Sequence, residues 1–453
     1  MELQGKRALV VGLAKSGVAA ARLLAREGAE VRVNDLKPRE TLAESWDSLA
    51  GLKIEGFFEG HPAELFHWAD LIVVSPGVPR SLPGLVQAQR AGKEIMSEME
   101  FAARLLAAPI LAVGGTNGKT TTTTLLGEMA AAALGRDQVF VGGNIGTPLS
   151  ELVLARRPVQ AAVVEVSSFQ MEFAQKFHPR VGIMLNVTED HLDRYRDLAD
   201  YAETKSRMFV RQTPQDFAVL NADDPPSAAM ARTTRAQAVW FGLSDPPRPG
   251  MRLQGRSLVW EGADGARFKL SLERWKPVGR HNLLNAMAAA AAALCFGLAR
   301  DKIQETFDTF KGLHHRLQWV ADVLGVSYYN DSKGTNTGAV VMAVQSFDRP
   351  IILLAGGRAK GCHFQSLKPE FLGRVKLVVA FGECREQMAE ELFQPGAYRI
   401  LTKATLAEAF AAASQSAESG DVVLLSPACA SFDQFRDYQD RGEQFRRLVE
   451  SLP

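Results

Sequence analysis

Short apolar runs recur along the chain, each ending in a cluster of glycine and small polar residues and most followed by an alanine- and leucine-rich stretch. The run 110–113 is a buried strand by this criterion. It passes into the turn Gly114-Gly115-Thr116-Asn117-Gly118, then Lys119-Thr120 and a helix through LLGEMAAAAL. Upstream, strand 7–11 leads through a glycine turn into the helical pattern VAAARLLAREGA, and strands follow at 30–33 and 70–75. Downstream, after the glycine-rich segment VFVGGNIG at 139–146, apolar stretches at 161–166 and 181–186 predict further strands, 197–210 a helix, and AMAAAAAALCFGL a second helix opening after Gly279. In the last third, strands end at Asn330 and span 350–355, 376–381 and 421–425. Strands alternating with helices predict α/β sheets. The expected layout is three domains: a Rossmann-like domain over 1–103, a central P-loop ATPase-type domain with a mostly parallel sheet over 104–311, and a second Rossmann-like domain over 312–453.

Composition narrows the class. The chain has 453 residues, which suits about three domains. Apolar residues make up 46%, enough for several cores, and the net charge of +1 gives no footprint for nucleic acid or an anionic membrane. The cysteines, Cys295, Cys362, Cys384 and Cys429, show no C-x-x-C spacing, which argues for a reducing compartment and against a structural zinc site. Cys429 has no nearby His or Asn partner in sequence and reads as a small buried residue. The N-terminus enters a strand without a signal-like segment, and the run Ala286–Cys295 is too short to span a bilayer. A cytoplasmic protein is expected.

The chemistry collects after strand ends. Strand, glycine turn, Lys-Thr and helix make a phosphate cradle: backbone N–H groups and the helix N-terminus face the phosphates, Lys119 adds charge, and Thr120 offers a hydroxyl to Mg²⁺. Val113 stands where the usual loop has its first glycine. In the first domain a G-x-A-x-x-G turn with Asp35 at the next strand end suits a nucleotide crevice, which Ser16, Asp35, Lys37 and Gly77 would share. Glu165, at the end of strand 161–166, is placed to hold Mg²⁺ or its water. Asn144 lies in a glycine-flanked loop, and His191 follows the strand 181–186. Lys205 taken alone is a surface lysine, and Asn282 and Asn285 share a helix face. No nucleophile elbow, H-E-x-x-H or kinase set is present.

GTNGKTTT, EVSSFQ, NVTEDHLDRY, GRHNLLNA, HHR, NDSKGTN and SPACASFDQF, in this order over essentially the whole chain, resemble the Mur ligase family. EVSSFQ with SPACASFDQF resembles its D-glutamate-adding branch, and the family's loop also carries an aliphatic residue at the place of Val113. The resemblance implies that ATP phosphorylates the carboxylate of UDP-N-acetylmuramoyl-L-alanine and that the amine of D-glutamate displaces phosphate. Gly115, Thr116, Asn117, Gly118, Lys119, Thr120 and Thr121 would hold ATP with Asn282, Asn285, Arg316 and Asp331. Thr120, Glu165, His191 and a carbamylated Lys205 would serve two Mg²⁺ sites, with Mn²⁺ as a substitute, and Lys119, Glu165, His191 and Lys205 form the catalytic set. Ser16, Asp35, Lys37, Gly77, Asn144 and His191 would take the UDP-substrate. Lys333, Thr335, Lys360, Ser431, Phe432 and Tyr438 would seat D-glutamate. Tyr438 stands where the family often has Phe, Gly-Gly-Arg-Ala-Lys where an Asp-Gly-Lys form occurs, and Lys37 where an Arg can stack on uracil. A monomer that binds neither nucleic acid nor membrane is expected.

Overall fold

The computed structural model describes residues 2–188, 190, 194–359 and 363–452. Three sheets organise them. The first has β1 (Arg7–Val11), β2 (Glu30–Asn34), β3 (Ile54–Phe57), β4 (Leu71–Val74) and β5 (Glu94–Ser97), all parallel, in the order β3-β2-β1-β4-β5. Its central strands β1 and β4 are buried on both faces, so they are continuously apolar rather than alternating. Ala8 and Val10 enter one core with Leu24 and Val33, while Leu9 and Val11 enter the other with Phe66 and Val74. Burial of such side chains contributes about 1.5–3 kcal/mol each.

The second sheet runs β14-β13-β12-β11-β10-β9-β6-β8-β7. Its strands are β6 (Ile110–Gly114), β7 (Val139–Gly143), β8 (Ala161–Glu165), β9 (Val181–Met184), β10 (Phe217–Asn221), β11 (Gln237–Gly242), β12 (Gly250–Gln254), β13 (Ser257–Glu261) and β14 (Arg267–Ser271). Pairing is parallel from β7 to β12, and β12–β13–β14 continue as antiparallel hairpins. The expected mostly parallel sheet is present; strands β10 to β14, its antiparallel extension included, go beyond the sequence pattern, which predicts no strand between 210 and 279.

The third sheet runs β15-β16-β20-β17-β18-β19, from β15 (Gln318–Val323), β16 (Val326–Asn330), β17 (Ile351–Gly356), β18 (Val375–Phe381), β19 (Arg399–Lys403) and β20 (Val422–Ala428). Only β15 is antiparallel. Ile351, Leu353 and Ala355 face one core, and Ile352 and Leu354 the other. The helix predicted over 197–210 is shorter: Leu198–Ser206, capped by Asp197, then a 3₁₀ turn.

The chain packs as two compact units. One holds 1–273 and 284–308, hence the first two sheets; the other holds 274–283 and 309–453, hence the third. Among the described residues, no helix is long and apolar enough to cross a membrane.

Candidate phosphate-binding and amino-acid sites

In the first sheet the strand order reverses between β1 and β4, the switch point where α/β sheets bind ligands. The turn after β1 and the loop after β4 meet there: Ser75 Oγ donates to Gly12 O at 2.7 Å. Asp35 braces this turn, its carboxylate accepting from Leu13 N at 2.7 Å and Lys37 N at 2.9 Å. Ser16 is half-buried at the start of the helix Lys15–Arg26, and Lys37 and Gly77 are exposed. The expected crevice residues therefore lie around one sheet end, with Asp35 ordering backbone.

The central loop is built by glycine. Gly115 and Gly118 have φ of +148° and +82°, which favours residues without a Cβ. A Cβ on Gly118 would collide with Asn285 Oδ1, so Asn285 lies against the loop. Asn186, two residues past β9, fastens it: its Oδ1 accepts from Asn117 N at 2.8 Å and its Nδ2 donates to Asn117 O at 3.2 Å. Thr116 N donates to Asn186 O, and Thr116 Oγ1 accepts from Thr188 N. The helix Lys119–Leu134 then starts, with Lys119, Thr120 and Thr121 half-buried at its N-terminus. Lys119 Nζ donates to Gly115 O and Thr116 O, at 3.1 and 2.8 Å.

Glu165 ends β8 directly opposite Val113 on β6 and Gly143 on β7. Its Oε1 accepts from Asn144 Nδ2 at 2.9 Å, while its buried Oε2 has no hydrogen-bond partner among the described residues. A buried carboxylate oxygen without a donor is costly, so Glu165 fits a cation ligand. Lys205 is not on the surface. It is 3% exposed, donates to Gly115 O at 2.8 Å and lies 4.4 Å above the Tyr201 ring. Burial first, and the Lys119 charge second, push its pKa down to about 7 against the pull of Asp190. A lysine poised there presents a neutral amine at ordinary pH. Among the described residues there is no group of three or more His, Cys, Asp or Glu fit to hold a metal. His191 lies outside them.

In the second unit the expected residues follow β16, β17 and β20, three neighbouring strands. Asp331 is buried, accepting from Ser426 Oγ at 2.7 Å and Leu317 N at 3.2 Å, and burial pushes its carboxyl up to about 7. Arg316 is exposed beside a turn where His315 and Leu317 have φ of +62° and +42°. Lys333 sits 5.2 Å from the Tyr438 ring, Thr335 is half-buried, Ser431 is buried and Phe432 is 59% exposed. Lys360 lies outside the described residues. Asn282 donates to Val278 O at 2.7 Å on the helix Arg280–Cys295.

Arg441 is not among the residues that the sequence motifs single out. It is wholly buried, yet its acceptors are Ser332 Oγ at 3.0 Å, Ser332 O at 2.8 Å, Cys429 O at 3.1 Å and Gly356 O at 3.5 Å. It thus ties together the ends of β16, β17 and β20. The signal was available: Arg441 shares its helix face with Phe445 and Val449 at a spacing of four.

A glycine loop and helix N-terminus with two lysines and a buried carboxylate at one sheet end define an enzyme that holds a nucleotide by its phosphates. Comparison with known proteins is more specific. The Mur ligase MurD-like N-terminal domain matches residues 6–97, the Mur ligase middle domain 113–293, and the Mur ligase glutamate ligase domain 315–429. Proteins named UDP-N-acetylmuramoylalanine--D-glutamate ligase are similar over the whole chain. Those of Geotalea daltonii and Geobacter metallireducens are 45% identical, and that of Alkaliphilus metalliredigens 40%, each covering 100% of this chain and 99% of the relative. The chain belongs to the Mur ligase family, which catalyses ATP-dependent peptide-bond formation in peptidoglycan precursor synthesis. Solved structures share the fold. A pseudomurein peptide ligase type C from Methanothermus fervidus has a TM-score of 0.55 at 19% identity, covering 99% of this chain and 100% of its own. UDP-N-acetylmuramate-alanine ligase from Thermotoga maritima has a TM-score of 0.55 at 19% identity, covering 98% and 99%.

Proposed function

We propose that this chain joins D-glutamate to UDP-N-acetylmuramoyl-L-alanine at the expense of ATP. The observation that carries the choice of amino acid is the 40–45% identity, over the full chain, to relatives bearing that activity in their names. A carboxylate is a poor electrophile. An oxygen of the alanyl carboxylate attacks the γ-phosphorus of ATP and ADP leaves. The amine of D-glutamate then attacks the acyl carbon, phosphate leaves and the amide forms. Little of this is covalent chemistry by the protein; its part is positioning and charge compensation.

The loop 115–121 supplies N–H groups to the phosphates, and Lys119, now bonded to two loop carbonyls, turns its charge to them. Thr120, Glu165 and His191 would be the protein ligands for Mg²⁺, which screens phosphate charge when bound; Glu165 Oε2, without a hydrogen-bond partner among the described residues, supports this. Two such sites, with Mn²⁺ as a substitute, are part of the proposal. Lys205 takes up CO₂ through its neutral amine, forming N-carboxylysine and releasing one proton, which turns a cation into an anionic ligand. Its pKa of about 7 supports the reading. Asn282, Asn285, Arg316 and Asp331 serve ATP; Ser16, Asp35, Lys37, Gly77, Asn144 and His191 serve the UDP-substrate. Lys333, Thr335, Lys360, Ser431, Phe432 and Tyr438 seat D-glutamate. We further assign domains at 1–103, 104–311 and 312–453 to a cytoplasmic monomer that engages neither membrane nor nucleic acid.

The test is product mass. Incubation with ATP, Mg²⁺, the nucleotide sugar and D-glutamate yields the sugar extended by one glutamyl residue; an unextended sugar under these conditions refutes the assignment.

A further inference from the structure

Two thiols that the proposed reaction does not use meet at the end of the third sheet. Cys384 follows β18 and caps the helix Arg385–Leu392; Cys429 follows β20. They are 45 positions apart, yet their sulfurs lie 3.4 Å from each other. Both are reduced and buried, at 6% and 1% exposed. Topology explains the meeting: β18 and β20 flank β17, so the loops at their carboxyl ends converge over the end of β17.

Gly357 lies between the two. Its carbonyl accepts from Cys384 N at 3.0 Å, and a Cβ on it would sit 3.3 Å from Cys429 Cβ and 3.2 Å from Arg441 Nη1. The next residue, Arg358, exchanges two backbone hydrogen bonds with Ala430, at 2.9 and 3.1 Å. Cys429 is therefore one residue from this bridge and two from Ser431. The thiol of Cys384 is held below its ordinary pKa, first by its contact with Cys429, and thiolate is the reactive form.

We propose that Cys384 and Cys429 form a redox modification site: a peroxide-class oxidant converts the two thiols to a disulfide that weakens amino-acid binding, and thiol reductants reverse it. The Cys384 thiolate attacks a peroxide oxygen, breaking the O–O bond, giving a sulfenic acid and releasing water. The Cys429 sulfur displaces the sulfenic hydroxyl as a second water, forming the S–S bond. The two sulfurs lose two electrons and two protons, and one hydrogen peroxide becomes two waters. To reach a bond of about 2.05 Å the sulfurs must approach by more than 1 Å. That movement pulls on the Arg358–Ala430 bridge and on Ser431 and Phe432, and its kinetic consequence rests on the reading that these residues seat D-glutamate. Transient, sensing disulfides are the kind found in reducing compartments.

The full-length reduced protein is exposed to hydrogen peroxide, alkylated, and mapped by mass spectrometry without reduction. A peptide pair joining Cys384 to Cys429 is expected. KM for D-glutamate rises at least roughly threefold while KM for ATP changes less, and dithiothreitol restores both. Reduced Cys384→Ala keeps wild-type kinetics and resists peroxide. Absence of that peptide pair, pairing to Cys362 or Cys295 instead, equal peroxide inhibition of Cys384→Ala, or a cross-link without kinetic effect each overturns the proposal. If the reduced enzyme ignores D-glutamate, the substrate reading falls by itself: the same kinetics are then run with the amino acid it does use, and the peptide map decides the thiol pair independently.

Discussion

Arg441→Met removes a wholly buried guanidinium while keeping much of its volume. The native side chain donates to Ser332 Oγ, Ser332 O and Cys429 O at 2.8–3.1 Å and reaches Gly356 O at 3.5 Å. Hydrogen bonds to a charged donor contribute about 1.5–3 kcal/mol each, and methionine leaves buried carbonyls without a donor. Against this stands the relief of burying a cation, which holds the Arg441 pKa down to about 10. The losses win, because at least two buried carbonyls lose their donor and the nearby Asp331 and Asp433 lose a compensating charge; a net cost of about 3–5 kcal/mol is the expectation. For a unit of this size that lowers its melting temperature by roughly 6–20 °C. The assay is thermal unfolding followed by near-UV dichroism, with Arg446→Met as control. Arg446 is on the same helix but only half-buried, paired with Glu443 and Glu450, and its loss leaves the transition where it was. A shift under about 2 °C, or equal shifts for both variants, refutes the reasoning. KM for the amino acid rises more than KM for ATP in Arg441→Met, because the three loops it ties carry the proposed amino-acid residues.

Gly118→Ala places a Cβ at a φ of +82° and against Asn285 Oδ1, which weakens ATP binding at least roughly tenfold by calorimetry while circular dichroism stays native. Asp331 carries a folded-state pKa of about 7 against an ordinary value of 3.8. A raised folded pKa favours the protonated fold, so stability falls as pH rises from about 4 to about 7. Asp331→Asn flattens that slope in urea titrations of the two proteins across this range, and parallel slopes would count against it. Lys205→Ala abolishes turnover, and formate restores part of it. In the native enzyme the rate at fixed bicarbonate climbs as pH rises through about 7, where the amine loses its proton; Lys205→Arg, charged at every pH, stays inactive.

The phosphate loop was legible because its signals are local: an apolar strand, glycines, Lys-Thr and a helix within fifteen residues. Strands β1, β4, β6, β8, β9, β17, β18 and β20 are legible for the same reason, each being a short apolar run buried on both faces, whereas the parallel strands β3, β5, β10, β11 and β19 are not among those the pattern predicts. Strands β12 to β14 were not, since Arg252, Glu261 and Arg267 interrupt their pattern; in the fold these charges pair across the strands. Lys205 looked like a surface lysine because its helix is mostly polar, and only the tertiary fold puts it under the loop at Gly115. Asp35 was read for a ligand, and the structure adds a backbone role that spacing alone does not reveal. The Cys384–Cys429 contact depends on strand order, which no local pattern encodes. Conversely Arg441 is legible from its place in the apolar stripe of the last helix, with Phe445 and Val449.

The most direct measurement of the central claim is phosphate release from ATP with UDP-N-acetylmuramoyl-L-alanine and a panel of D- and L-amino acids. Release that requires both the nucleotide sugar and D-glutamate is the expected result. Release driven equally by an L-amino acid, or by ATP without the sugar, contradicts it.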